Sequence, residues 1–151
     1  MGACLCCAPK DEEGHAIASY KFEPASLCSQ KWKFKKPKMG KDSEGWEMVA
    51  RDFESGHLPQ AERILNMDLD KQCTCCCGGC PRLRGAEGAL HEGGWVESTD
   101  RFLRPYGYKV KPYFQVVYVS NGQHGGHHQE HFYIVIYKLD AGPDREPPQV
   151  S

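Results

Sequence analysis

Two runs near the C-terminal end, YKVKPYFQVVYV at 108–119 and FYIVIYKL at 132–139, constrain the fold of this chain more than any other feature. Both are rich in β-branched and aromatic residues, and the stretch between them, SNGQHGGHHQEH, is polar and dense in glycine. That pattern predicts a β-hairpin whose arms join through a long loop. Both arms are apolar enough for interior sheet positions. Pro112 has no N–H for a ladder, so it predicts a bulge or a sheet edge early in the first arm.

Earlier in the chain, Tyr20, Phe22, Trp32 and Phe34 predict one or two further strands. In DSEGWEMVARDFESG, Trp46, Val49, Ala50 and Phe53 recur at helical spacing, with Asp42 or Ser43 as the cap and Gly56 as the stop. In HLPQAERILNMDL, Pro59 suits a first helical position, and Ala61, Ile64 and Leu65 make one apolar face. DLD at 68–70 lacks the glycine and spaced carboxylates of a calcium loop and reads as a helix terminator. From residue 71, KQCTCCCGGCPRLRGAEGALHEGG has no apolar period and reads as an irregular loop, and AGPDREPPQVS reads as a disordered tail. The expectation is an α+β fold: a small, mostly antiparallel sheet with a C-terminal long-loop hairpin and two short helices. One domain spans 20–140, after a flexible tail at 1–19 and before a disordered one at 141–151.

Composition bounds the setting. The 151 residues, 40% of them hydrophobic, suffice for one domain with a modest core. Acidic Asp11, Glu12 and Glu13 arrive too soon for a secretory signal. The nine cysteines are odd in number and include consecutive Cys75, Cys76 and Cys77, which fits a reduced compartment better than a disulfide framework. No apolar run approaches the roughly 20 residues that span a bilayer. Contact with a membrane is therefore expected from its surface.

The N-terminus supplies a means of such contact. In MGACLCCAPK, Gly2 fits the N-myristoylation pattern, with Cys6 where Ser or Thr is usual. These first ten residues resemble the doubly acylated amino termini of Src-family kinases, and the resemblance stops there: no nucleotide loop or catalytic-loop motif follows. It implies a mode of attachment and no activity. One myristoyl chain binds a bilayer with K of only about 10⁴ per molar, so stable anchoring needs a second chain or a basic patch. Cys4, Cys6 and Cys7 offer thiols for S-palmitoylation, which makes the cytoplasmic face of a membrane, and the plasma membrane in particular, the expected location.

A basic stretch adds to the anchor. Residues 1–41 hold eight Lys against Asp11, Glu12, Glu13 and Glu23, although the whole chain carries a net charge of −1. Lys31, Lys33, Lys35, Lys36, Lys38 and Lys41 follow one another without an acid. Beside Trp32 they suit an anionic membrane surface, where each Lys is worth about 1 kcal/mol. The alternation of Lys31, Lys33 and Lys35 with Trp32 and Phe34 equally suits a strand with its rings in the core and its lysines in water. Nucleic-acid binding is disfavoured, because the downstream chain is acidic and contains no recognised module.

Two further clusters carry chemistry in principle. Cys77 and Cys80 have C-x₂-C spacing, and Cys73, Cys75 or Cys76 beside them would make either part of a zinc site or a second acylation segment. In composition the cluster resembles the palmitoylated cysteine-rich segments of membrane-fusion proteins. His127 to His131 satisfies the H-x-x-E-H metalloprotease pattern, which works only on a helix; next to a predicted strand it reads as a solvated loop with His124 and His128. No cofactor is expected, with zinc as the alternative. The reading is a peripheral membrane protein whose small module binds lipid headgroups or a protein partner, set against a small zinc- or thiol-dependent enzyme, for which no ordered active-site set is present.

Overall fold

In β1 (Gly14–Pro24) residues 17–20 are buried on both faces, and from Tyr20 onward the side chains alternate between core and the opposite side. Tyr20 and Phe22 are almost fully enclosed, while Lys21 and Glu23 point the other way. The structure is a computed structural model that describes residues 8–25, 31–72, 83–120, 122 and 125–143. The remaining strands are β2 (Trp32–Phe34), β3 (Lys38–Met39), β4 (Tyr108–Ser120) and β5 (Gly126–Leu139). They form one antiparallel sheet in the order β2-β1-β5-β4, with β3 also on β1. The expected α+β fold is what the chain adopts.

The helices all lie on one side. α1 (Trp46–Asp52) passes through a π turn at Phe53–His57 into α2 (Leu58–Gln72), and α3 (Ala86–Glu92) and α4 (Trp95–Leu103) follow. The apolar positions read from the sequence face the sheet: Trp46, Val49, Ala50, Phe53, Ala61 and Leu65 are buried with Tyr20, Phe22, Phe132, Ile134 and Ile136 in one core. Tyr20 is tied into it at both ends of its hydroxyl. It donates to Glu54 Oε2 at 2.6 Å and accepts from Trp46 Nε1 at 3.1 Å.

Several expectations are corrected. Gly56 lies inside the π turn and stops nothing, because the longer turn carries the helix on into α2. Residues 68–70 are likewise within α2, so they do not terminate it. Neither Asp42 nor Ser43 caps α1: the N-cap is Gly45, and Asp42 takes φ 61° and pairs with His15 Nε2 at 3.3 Å. The stretch from residue 71, read as a loop, contains α3, and α4 lies beyond it. β1 begins at Gly14, so the end of the expected tail belongs to the sheet.

The C-terminal hairpin forms, but its loop is short. The ladder continues to the pair Ser120↔Gly126, which puts His127, His128 and His131 on a strand. β4 lies at the sheet edge and not in its interior, consistent with Pro112 within it.

Candidate functional site

Register defines the composition of the helix-free face. Directly paired residues point to the same side of a sheet. Lys38, Ser19, Val135 and Lys111 form one cross-strand row, and Lys21, Tyr133 and Tyr113 form the next. Lys33 joins them through its pair Glu23. All of these lie opposite the face that carries Phe22, Ile134 and Val110 into the core.

The lysines of the basic stretch are exposed: Lys31, Lys33, Lys35, Lys36, Lys38 and Lys41 all reach solvent. Trp32 does not share their exposure. Its ring is half-buried, 5.5 Å from that of Phe22, and its indole N–H is enclosed without a hydrogen-bond partner among the described residues. Phe34 is buried 4.8 Å from the same ring. The aromatic positions of this stretch are thus core positions, as the strand alternation implies, and the lysines are surface ones.

The segment before β1 lies on the same helix-free face. Tyr137, whose pair in β1 is Ala16, donates its hydroxyl to the carbonyl of Pro9. Asp11 Oδ1 sits 3.0 Å from Lys109 Nζ and 3.1 Å from Lys111 Nζ, and Glu13 Oε1 is 2.8 Å from Lys109 Nζ and 3.3 Å from Arg104 Nη2. Burial by itself would raise the Asp11 carboxyl, but hydrogen bonds from Lys109, the Glu13 N–H and Lys111 hold it down at about 2. Glu13 is lowered too, by its bonds from Arg104 and Lys109. These two acids offset two of the three cations Arg104, Lys109 and Lys111 at the β4 end of the face. Near β1, Lys21 pairs with Glu23 at 3.2 Å, and Lys33 and Lys38 add positive charge beside it.

The histidine pattern offers no metal geometry. On a strand, His127 and His131 share one face and Glu130 takes the other. Glu130 Oε1 accepts the Leu83 N–H at 2.6 Å, and His131 Nδ1 contacts the Tyr133 hydroxyl at 3.1 Å. Burial lowers His131 below the ordinary imidazole range, Lys21 adds to this, and Glu23 opposes it. Among the described residues no group of three or more His, Cys, Asp or Glu could hold a metal ion.

An open groove of about 510 Å³ runs between α3, α4 and β4, lined in part by Glu87, His91 and Asp100. Its two carboxylates are already engaged: Glu87 Oε1 accepts from the Phe114 N–H at 2.7 Å and Asp100 Oδ1 from the Val110 N–H at 2.8 Å. The acylation candidates Gly2, Cys4, Cys6 and Cys7, and the cluster Cys73, Cys75, Cys76, Cys77 and Cys80, lie outside the described residues. The sequence reading missed Asp11, Glu13, Arg104, Lys109 and Lys111 as a group. Local sequence carries no sign of it, because the acids and their partners are separated by 91 to 100 positions.

No protein-family model, curated protein or solved structure matches the chain. No helix among the described residues is long and apolar enough to cross a membrane.

Proposed function

We propose that this is a peripheral membrane protein, anchored by myristate on Gly2 and palmitate on Cys4, Cys6 and Cys7, whose helix-free sheet face rests on an anionic leaflet. The observation that carries the reading is a shared face. Residues 9–13 run over the side of the sheet from which Lys21, Lys33 and Lys38 project. From Ala8 back to Gly2 the chain reaches at most about 20 Å when extended. A lipid on Gly2 therefore keeps the domain close to the bilayer, with a lysine-bearing face available to it. Lys31, Lys35, Lys36 and Lys41 extend the same basic edge.

The energetics suit a two-part anchor. A single myristoyl chain is marginal, whereas thioester-linked chains and a few lysines at about 1 kcal/mol each make residence stable. Trp32 is not part of the contact, since its ring packs on Phe22. The test is Gly2→Ala in eukaryotic cells. The variant is expected to move from the membrane fraction to the soluble one, because the first chain also keeps the cysteines at the surface where they are palmitoylated. A variant that stays fully membrane-bound contradicts the proposal.

A further inference from the structure

The two edges of the sheet are finished differently. Along β2, the outward backbone groups are taken up by α2: the Trp32 N–H donates to Asn66 Oδ1 and Asn66 Nδ2 donates to the Trp32 carbonyl, both at 2.9 Å. Next to them the Phe34 N–H donates to Glu62 Oε2 at 3.0 Å. Along β4, Asp100 takes the Val110 N–H and Glu87 takes that of Phe114, while Pro112 between them has none to give. Each of these positions points its backbone away from the neighbouring strand. Native sheets protect their edges with such charges, prolines and covering groups.

That protection stops at Phe114. The next outward positions are Val116, Tyr118 and Ser120, and among the described residues no group hydrogen-bonds to their outward N–H or C=O. Here the hairpin extends beyond the helices, leaving Val116 47% and Tyr118 58% exposed. No Lys, Arg, Asp or Glu occurs from 113 to 129.

We infer that residues 116–120 are a docking edge for a second copy of this chain, paired antiparallel about a two-fold axis at Tyr118. In that register Val116 faces Ser120 of the second copy, Val117 faces Val119, and Tyr118 faces its own counterpart. The N–H and C=O groups of 116, 118 and 120 find partners, and the uncharged segment opposes no like charges. A second copy is favoured because the register is self-complementary: the same segment supplies both strands and brings no charge against its own counterpart. Asn66 and Glu62 occupy the outward groups of β2, so β4 cannot dock there, and the assembly ends at a dimer instead of growing as a fibre. The axis is perpendicular to the sheet, so both helix-free faces look the same way. The contact is short and buries less than the roughly 1,000 Å² of stable interfaces, so the dimer is weak. It does not depend on acylation.

The experiment is sedimentation of reduced, unacylated protein at rising concentration up to about 1 mM, where even weak pairs are populated. The expected result is a mass climbing from monomer toward dimer and no further. Tyr118→Pro removes one outward N–H without touching the ladder to β5, and Tyr118→Lys sets two ammonium groups face to face at the axis. Both are expected to stay monomeric with the parent's melting temperature. A parent that remains monomeric throughout overturns the inference. So does association of a folded Tyr118→Pro or Tyr118→Lys variant to the parent's extent.

Discussion

The backbone N–H of Val110 donates to Asp100 Oδ1 at 2.8 Å, so a helix side chain completes a strand that has no neighbour on that side. Val110 is only 2% exposed, and water cannot readily replace the carboxylate. Asp100→Ala should therefore cost about 1–3 kcal/mol, the penalty for an unsatisfied buried donor. Burial raises the Asp100 carboxyl, which means the charged form is held there at some expense. Asp100→Asn keeps an acceptor and removes the charge, so urea unfolding should show a clearly smaller loss for Asn than for Ala.

Asp11 predicts an acid-side loss of stability. Its carboxyl stands at about 2 in the folded chain against an ordinary 3.8, so folding favours the ionised form. The contribution is complete above about pH 4 and disappears as pH falls toward 2. Thermal melts of the parent should weaken through that window. In Asp11→Asn this part of the pH dependence should be absent, and a parent-like slope in the variant would show that Asp11 does not supply it.

The lysines and Trp32 should separate cleanly. Changing Lys33, Lys35, Lys36 and Lys38 to Gln should weaken binding of unacylated protein to anionic vesicles, more at low salt than at high, because salt already screens the attraction. The melting temperature should barely move. Trp32→Ala should instead lower it, since the ring packs against Phe22. Lysine variants that bind such vesicles as well as the parent would make the basic edge a solvated face only.

How much of this was legible depended on where partners lie. Trp46, Val49, Ala50 and Phe53 announce a helix because one buried face repeats every turn, and the β-branched runs of β4 and β5 announce a hairpin. Trp95, Val96, Thr99 and Leu103 also fall at helical spacing and are buried, so α4 had a readable signal. α3 had little: it is seven residues long, includes Gly88, and buries only Ala86 and Leu90. His127 to His131 looked like loop because no apolar alternation marks them. His127, His128 and Gln129 are exposed whichever face of the hairpin they take, and a strand there needs no such pattern.

The candidate site was only half visible for a related reason. Exposed lysines flanking buried aromatics can be read from period two. Glu62, Asn66, Glu87 and Asp100 cannot be recognised as edge caps, because they bind backbone groups, which leave no mark in the partner's residue type. Asp11 and Glu13 likewise look like ordinary tail charges until the fold brings Lys109 and Arg104 to them.

Intact-mass measurement of the protein from eukaryotic cells, before and after hydroxylamine, tests the anchor most directly, because hydroxylamine cleaves thioesters and leaves amides intact. The expected result is one myristoyl group that survives treatment and one or more palmitoyl groups that are lost, the latter absent from the variant lacking Cys4, Cys6 and Cys7. A chain with an unmodified Gly2 and no hydroxylamine-sensitive mass would contradict the proposed anchoring.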